Sequence, residues 1–389
     1  MTQVFVPLRV MERLERSCDV PFSLFPAPAE CADGQVVTLS SASSAVPALA
    51  IIDRGAACWR VMVRAPDSFE ALDARWADYR LAGAIATRAS YRLTPPPSAY
   101  RLLNGAGDST PGVLADVYGE WAVVSALSDA LVPVAGLLAQ AMLDHRIARG
   151  VVVKRRRRGR AADGPGVVTL HGDAPPARLV VSEGPWRFEV HLTTGVNVGL
   201  FTDMRLERAR VAEIAYGRRV LNLFAYTGAL SVAAAGGGAT AVTSVDLSEG
   251  VLAWARDNFS LNGLAAETHH TVADDVARHL EAATARADQF DLVLIDPPSF
   301  STARAAEFAI GRDYADLMTA ACRVLAPGGL LWVATNTRGF SLVGAAQLAA
   351  SHVRRVAQLV AMGSLPPDYP TELSDADARY LQTCLLRLA

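Results

Sequence analysis

The chain has 389 residues, of which about half are apolar and a fifth charged, as in globular proteins. Its net charge of −2 excludes a polycation, so any contact with nucleic acid must be local. The five cysteines are scattered and lack zinc-site spacing, which predicts buried thiols in a reducing compartment and no bound metal. The amino-terminal segment has no signal-peptide core, and no apolar run could span a bilayer, so we expect a cytoplasmic protein.

The first part of the chain is rich in strand-like runs. Over residues 1–67, QVVTLS, ALAIID and WRVMVRA alternate with turn residues, which predicts a small β-rich module. Residues 68–91 have helical periodicity, and the chain-breaking stretch TPPPS follows them. Hairpin-like and helical runs then continue, so we expect a helical linker and a mixed α/β middle domain over residues 68–187.

A dense basic run, KRRRRGR, follows the strand-like GVVV in this middle domain. Six cations in seven residues can neutralise several phosphates and make binding steeply salt-dependent. A solvated loop is the alternative, whereas a membrane-surface role would need an amphipathic helix. A structured RNA is the simplest partner, and Arg338 could add a phosphate contact near the active site. The predicted RNA-binding residues are Lys154, Arg155, Arg156, Arg157, Arg158, Arg160 and Arg338.

From about residue 191 onward, strand-like and helix-like runs alternate. This alternation predicts a parallel, doubly wound sheet with helices on both faces, whose ligands bind beyond the carboxyl ends of the strands. Gly228 follows the first strand and lets the chain turn sharply, so that backbone N–H groups approach a ligand. Asp246 ends the second strand, where an acid can accept both ribose hydroxyls.

Acids also follow the third and fourth strands. Asp274 and Asp275 are placed to meet an adenine amino group, and Asp296 ends the fourth strand. Ordinary strand-end turns are the alternative for each position alone. No full G-x-G-x-x-G is present, which disfavours a nicotinamide cofactor. The ordered set of strand-end acids resembles the class I S-adenosylmethionine-dependent methyltransferases.

The fourth strand belongs to the stretch FDLVLIDPPSF at residues 290–300, where proline must end the strand. DPPSF resembles the [DN]PP[YF] motif of methyltransferases that modify amino and ring nitrogens of nucleic acids. The resemblance implies that Asp296, Pro297 and Pro298 fix polar edges at the reacting centre. It also implies that Phe300 stacks on a base taken out of its helix. A loop aromatic packed on the core is the alternative for Phe300.

The residue after the next strand distinguishes two chemistries. Methylation of a pyrimidine at C5 needs a thiolate that adds to the ring, whereas a nitrogen acceptor needs no covalent intermediate. Here the strand end carries Asn336 in VATNTRGF, while Cys322 lies in a probable amphipathic helix and is expected in the core. We therefore favour a nitrogen target with Asn336 at the acceptor base.

Several stretches are similar to the large-subunit rRNA methyltransferase superfamily, which joins a PUA-like module to a Rossmann-fold catalytic domain. The stretches LNLFAYTGALS to LNGL and DLVLIDPPSF carry the core resemblance. VVVKRRRRGRA, FEVHLTTGVNVGLFTDMR and TNTRGF are similar to the guanine-N7 branch, whereas RLLNGAGDSTPGVLADVYGEW and YLQTCLLRLA are similar to the 5-methylcytosine branch. Asn197 and Val198 replace the first two residues of the family's [DK]-T-G-x-x-x-D-x-R segment, while Gly199, Asp203 and Arg205 remain.

The resemblance implies a Rossmann-like class I methyltransferase domain with a mostly parallel seven-stranded sheet over residues 188–389. A PUA-like module would occupy residues 1–67, and the middle domain would bind RNA. The implied cofactor is S-adenosyl-L-methionine. The residues implied to bind it are Phe201, Asp203, Arg205, Asn222, Phe224, Tyr226, Gly228, Asp246, Leu247, Ser248, Asp274, Asp275 and Asp296.

The expected function is S-adenosylmethionine-dependent methylation of a base in 23S rRNA, at guanine N7 or N2. One alternative is 5-methylcytosine formation, and another is an RNA-binding protein with a degenerate methyltransferase fold. The expected partner is 23S rRNA or a large-subunit precursor, without a membrane or a metal, and a homodimer is a further hypothesis.

Overall fold

The computed structural model describes residues 2–41, 47–91, 97–156, 166–265, 267–298, 310–337, 340–372 and 380–389. The chain forms two compact units. Unit 1 comprises Met1–Gly184, Val190–Val198 and Pro367–Ala378, and unit 2 comprises Pro185–Glu189, Gly199–Pro366 and Arg379–Ala389. No helix in the described part of the chain is long and apolar enough to cross a membrane. The domain boundaries expected at residues 67 and 187 stay predictions.

Unit 1 contains two sheets and three helices among its described residues. The strands are β1 (Thr2–Phe5), β2 (Asp19–Pro21), β3 (Val36–Ser40), β4 (Ala48–Asp53), β5 (Cys58–Val63), β6 (Ala99–Asn104), β7 (Val113–Tyr118), β8 (Trp121–Ala126), β9 (Gly150–Arg155), β10 (Val167–Gly172) and β11 (Leu179–Glu183). The helices are α1 (Leu8–Arg16), α2 (Ala74–Ser90) and α3 (Val132–Asp144).

The first sheet of unit 1 has the order β1-β3-β4-β5-β2, and the second has the order β10-β9-β8-β7-β6. Every residue of β4 and β5 is buried, because the first sheet is covered on both faces at its centre. The β-rich pattern of residues 1–67 therefore corresponds to real strands. The resemblance of this sheet to a PUA-like module stays a prediction.

Unit 2 has strands that alternate with helices. The strands are β12 (Trp186–Val190, whose last residue belongs to unit 1), β13 (Arg219–Leu223), β14 (Ala241–Asp246), β15 (His269–Ala273), β16 (Phe290–Ile295), β17 (Leu325–Thr335), β18 (Ala357–Met362) and β19 (Gln382–Leu388). The helices are α4 (Arg205–Ala215), α5 (Ala229–Gly236), α6 (Glu249–Leu261), α7 (Val276–Ala285), α8 (Ile310–Arg323) and α9 (Leu342–His352).

The seven-stranded sheet of unit 2 has the order β15-β14-β13-β16-β17-β19-β18. Its first five strands are parallel, and β19 runs antiparallel to both β17 and β18. The predicted mostly parallel, seven-stranded Rossmann-like sheet is confirmed. The strand order reverses direction between β13 and β16, both of which are buried apolar runs, so the carboxyl ends of these two strands mark the expected ligand crevice.

Candidate active site

The loop between β13 and α5 forms a tight cradle at the carboxyl edge of the sheet. Phe224 and Tyr226 have left-handed backbone φ angles of +57° and +49°, and Gly228 has a φ of +74°. A Cβ atom at Gly228 would lie 2.9 Å from the Cβ of Ala255 on α6, so only glycine fits there. The loop therefore brings backbone N–H groups and the start of α5 close to any ligand at this edge.

Asp246 ends β14 and organises the cradle. Its carboxylate oxygens accept hydrogen bonds from the backbone N–H groups of Tyr226 at 2.9 Å and Ser248 at 3.0 Å. A carboxylate has about four acceptor positions, so both oxygens keep capacity for further donors. The side chain of Asp246 is half-buried, and its neighbour Leu247 is exposed beside it. This arrangement fits the two hydroxyls of a ribose and the apolar face of an attached base.

The two acids after β15 have different local roles. Asp275 caps α7, because its carboxylate accepts the backbone N–H of Arg278 at 3.0 Å. Asp274 accepts a hydrogen bond from the Arg278 guanidinium at 2.5 Å, which holds the pKa of Asp274 below its usual range. The backbone N–H of Asp274 also donates to the carbonyl of Asp246 at 3.0 Å. The structure thus places Asp274 next to Asp246 and gives Asp275 a capping role.

Asn222 lies beneath the cradle in the interior of the sheet. Its side chain is 1% exposed, and its amide nitrogen donates to the hydroxyl of Ser231 on α5 at 2.8 Å. Ser244 on β14 donates to the same hydroxyl at 2.7 Å. The structure corrects the expectation of a direct ligand contact, because the side chain of Asn222 is a buried support between the sheet and α5.

The segment before α4 reaches the same edge of the sheet. Phe201 is 44% exposed, and its ring centroid lies 5.5 Å from that of Tyr226. Burial, with the charge of Asp246 as a smaller cause, raises the pKa of Tyr226 to about 12. Asp203 and Arg205 are half-buried at the start of α4. The structure therefore brings Phe201, which lies between the retained Gly199 and Asp203 of the [DK]-T-G-x-x-x-D-x-R segment, beside the cradle.

Gly199 is the first residue of the second segment of unit 2. It contacts two residues that the sequence did not indicate, Trp254 and Thr227. Its φ is +102°, and a Cβ atom there would lie 2.2 Å from the ring of Trp254 on α6. The hydroxyl of Thr227 donates to the carbonyl of Gly199 at 2.6 Å. The retained glycine of the motif was the only available signal for this close approach.

Asp296 follows β16 directly and is half-buried. Burial, and then the charge of Asp203, raise the pKa of Asp296 to about 7. Tyr380 donates its hydroxyl to Asp203 Oδ2 at 2.6 Å. Tyr380 begins the stretch YLQTCLLRLA, but sequence reasoning did not connect it with Asp203, which lies 177 residues away in the chain. Pro297 is buried and Pro298 exposed, and Phe300 lies outside the described residues.

The end of β17 carries an exposed Asn336, and the thiols of unit 2 lie elsewhere. Cys322 is buried in α8, and Cys384 is buried in β19. Burial raises the pKa of both thiols to about 12, so neither is available as a thiolate nucleophile. The placement expected for Cys322 in the core is confirmed.

The basic run of unit 1 is partly internal. Lys154 is 2% exposed in β9, and its ammonium donates to the carbonyl of Gly195 at 3.1 Å. Burial, with Arg156 as a smaller cause, lowers the pKa of Lys154 to about 8. The prediction that Lys154 contacts phosphate is wrong, because β9 is buried at every position from Gly150 to Lys154 and holds this side chain in the interior.

The next residues of the run are closer to the surface. Arg155 pairs with Asp129 at 2.8 Å, and Arg156 is half-buried with its backbone N–H bonded to Ala126. The remaining predicted RNA-binding residues lie outside the described residues; they are Arg157, Arg158, Arg160 and Arg338.

Solved structures resemble the whole chain. A Streptococcus mutans protein, provisionally named a SAM-dependent methyltransferase, superposes with a TM-score of 0.85 at 26% identity, with each chain fully covered. A second crystal structure, of a protein provisionally named a methyltransferase and in complex with SAH, gives a TM-score of 0.87 at 26% identity, again over both whole chains.

Curated relatives cover less of the chain at higher identity. "Ribosomal RNA large subunit methyltransferase K/L" of Chromohalobacter salexigens is 48% identical over 172 residues, which are 44% of this chain and 23% of that protein. The chain thus matches about a quarter of the length of the first such relatives. The Bacillus subtilis protein YwbD is 29% identical over 79% of both chains. Its name assigns it provisionally to the ribosomal RNA large subunit methyltransferases.

A family match agrees with these similarities. Residues 132–387, well over half of the chain, match the family described as S-adenosylmethionine-dependent methyltransferase. The cradle, Asp246 and the acid at the end of β16 stand where such a fold binds its ligand. The chain belongs to the family of S-adenosylmethionine-dependent methyltransferases.

Proposed function

We propose that this methyltransferase modifies a base of 23S rRNA and that the acceptor is a guanine nitrogen, N7 or N2. The names of the curated relatives support a large-subunit rRNA substrate. The observation that carries the choice of acceptor is the end of β16, where an acid followed by two prolines meets the crevice while the thiols of unit 2 are buried.

The geometry of the cradle supports a proposal for the residues that bind the cofactor. Asp246 would hold the ribose hydroxyls, Leu247 would cover a face of the adenine, and the loop from Phe224 to Gly228 would enclose the methionine part. S-adenosylmethionine supplies a methyl group on a sulfonium, and transfer moves its positive charge to the acceptor atom. Asp274 lies beside Asp246 and would complete the adenine side, where Arg278 holds its carboxylate in place.

The chemistry at the acceptor depends on placement rather than on a covalent intermediate. An in-line displacement needs the acceptor lone pair close to the methyl carbon, and a rigid Asp-Pro-Pro loop can hold a base in that position. The side chains of Asp296 and Asn336 would contact the polar edge of the base, and Phe300 would stack on it. Methylation at cytosine C5 would instead need an exposed thiolate, which the described part of unit 2 does not offer.

The RNA would contact the basic run that follows β9. Arg155 and Arg156 are the described members, and Arg157, Arg158 and Arg160 continue the run in sequence. We include in this proposal a PUA-like module over residues 1–67, an RNA-binding middle domain over residues 68–187, and Arg338 as a phosphate contact. Whether two copies assemble is a separate question that sedimentation would answer.

Nucleoside mass spectrometry of 23S rRNA tests the proposed function. We expect a strain that lacks this protein to lose one methylguanosine, and the purified protein with S-adenosylmethionine to restore it on that rRNA. Protein-free rRNA and assembling particles should both be offered as substrates. Loss of 5-methylcytidine, or an unchanged set of modified nucleosides, would contradict the proposal.

A further inference from the structure

The carboxylate of Glu207 is buried in the first turn of α4. The residue is 0% exposed, and its Oε2 accepts a hydrogen bond from the indole N–H of Trp332 at 2.8 Å. Trp332 is itself fully buried in β17, where it pairs with Leu294 of β16 and Leu385 of β19. Arg210, one turn later in α4, donates to Oε1 at 3.0 Å. The indole bond therefore ties the start of α4 directly to the middle of the sheet.

A glycine leaves this carboxylate little room to move. A Cβ atom at Gly363, just after β18, would lie 2.0 Å from Oε1 of Glu207 and 2.0 Å from the hydroxyl oxygen of Thr383 on β19. Strands β17, β19 and β18 are neighbours in the sheet, and each contributes to the surroundings of the carboxylate or adjoins them. An apolar helix face could slide over such a surface, whereas a directional bond to a buried carboxylate fixes one position.

The anchored turn carries residues that border the cradle. Asp203 lies four residues before Glu207 and accepts the hydroxyl of Tyr380 at 2.6 Å. Phe201 lies two residues earlier, with its ring centroid 5.5 Å from that of Tyr226 in the loop between β13 and α5. Residues 201–207 thus extend from the cradle to the half of the sheet that contains β17 and β19. The place of the Phe201 ring at the cradle depends on how this segment is held at its other end.

We propose that Glu207 and Trp332 are positioning residues of the cofactor site, whose hydrogen bond holds the first turn of α4 so that Phe201 borders the cradle before S-adenosylmethionine binds. Both act through the segment that Phe201 begins, and neither touches the cofactor. A site that is already formed binds its ligand without the entropic cost of ordering the segment. The effect on the cofactor rests on the function proposed above, in which the cradle is the cofactor site, whereas the anchoring of α4 does not.

Two substitutions at Glu207 isolate the hydrogen bond. Glu207→Gln and Glu207→Leu both remove the charge, but only glutamine keeps an oxygen that accepts the indole N–H. We expect Glu207→Gln to bind S-adenosylmethionine within roughly twofold of the wild type, and Glu207→Leu to bind it roughly 3- to 30-fold more weakly, because the segment is then docked in a smaller fraction of molecules. Titration calorimetry at a temperature where each variant is folded measures both affinities. Equal weakening by the two substitutions would overturn the proposal, because the charge rather than the bond would then matter.

Trp332→Phe removes the donor from the other side of the bond and should weaken cofactor binding to a similar extent. Trp59→Phe is the matched control, since Trp59 is also 0% exposed and its indole donates to the carbonyl of Phe25 at 2.7 Å. Each substitution removes a buried indole and should destabilise the protein, which thermal melting measures, but only Trp332→Phe should change the affinity. An equal loss of affinity in the two variants would make the loss a general effect of destabilisation and would also overturn the proposal.

Hydrogen–deuterium exchange on the full chain without cofactor tests the anchor by itself. The backbone N–H groups of α4 should exchange roughly tenfold faster in Glu207→Leu and in Trp332→Phe than in the wild type or Glu207→Gln. Unchanged exchange in α4, or unchanged cofactor affinity in Glu207→Leu, contradicts the proposal, and Trp332→Phe decides in its place if Glu207→Leu does not fold. If the wild type binds no S-adenosylmethionine, the proposed cofactor site fails while the exchange rates still decide whether the bond anchors α4.

Discussion

The backbone of the cradle is strained at two aromatic residues, Phe224 and Tyr226. Left-handed conformations of such residues cost about 1–3 kcal/mol each and persist where neighbouring contacts hold them. One of these contacts is the bond from the Tyr226 N–H group to Asp246. Asp246 therefore shapes the loop in addition to the role we propose for it at the ribose.

Asp246→Ala should weaken S-adenosylmethionine binding by roughly 10- to 1,000-fold, because it removes charge-assisted acceptors for ribose and a support of the loop. Titration calorimetry on the folded variant measures this loss. Asp288→Ala is a matched control, since Asp288 pairs with Arg286 on the surface and should leave the affinity unchanged. If the wild-type protein does not bind S-adenosylmethionine at millimolar concentration, the assignment of the cradle as the cofactor site is contradicted.

The strand-end acids could be predicted because a local rule places them. In a parallel sheet the carboxyl ends of adjacent strands meet at one edge. The positions of Asp246, Asp274 and Asp296 could therefore be predicted without knowledge of distant contacts. Tyr380 could not be predicted, because its partner is 177 residues away and no periodicity links the two. Asn222 shows the converse, since a position beside a motif can face the core rather than the ligand.

At the scale of elements, α6 packs closely against Gly199, the first residue of the second segment of unit 2. Gly199→Ala should place a methyl group in the ring of Trp254 and destabilise the protein by about 1–3 kcal/mol more than backbone strain alone. Gly263→Ala is the matched control, because Gly263 also has a positive φ, of +65°, but open space around it. Chemical denaturation measures the difference, and equal effects of the two substitutions would show that the ring can move aside.

The basic run begins with the buried Lys154 inside β9 and continues with the half-buried Arg155 and Arg156. Changing Arg155, Arg156, Arg157 and Arg158 to Gln should flatten the plot of log K against log salt by roughly one unit or less per lost phosphate contact. Lys154→Met serves as the control within the run, because the buried Lys154 should leave the slope unchanged. Filter binding to an rRNA fragment over a range of salt concentrations measures both. An unaltered slope for the arginine variant would make the run a solvated loop.

Strand β9 also shows where charge patterning misleads. Lys154 belongs by composition to the basic run, yet it continues the buried run of GVVV and bonds to Gly195, 41 residues later. Composition reports density of charge, whereas the direction of each side chain depends on where the strand ends. The sequence predicted a basic surface but could not show that Lys154 is buried inside the strand.

At the scale of the whole molecule, the cysteines are distributed over both units and all are buried. A variant with every cysteine changed to Ala should keep methyl transfer, because no thiolate participates in the proposed reaction, although the lost packing should lower its melting temperature. Transfer to rRNA at a temperature where the variant is folded measures this. A covalent complex with RNA that carries 5-fluorocytosine would overturn the nitrogen acceptor and favour the cytosine alternative.

The position of β19 in the sheet of unit 2 also affects synthesis of the protein. Among the described strands, β18 pairs with β19, and residues 363–381 separate the two in the chain. Translation at about 5–20 residues per second therefore leaves β18 without a sheet partner for roughly one to four seconds. Its side chains Leu359, Val360 and Met362 are apolar and remain about half exposed even in the finished fold. Slower translation across this interval would increase aggregation of the nascent chain without changing the stability of the completed one.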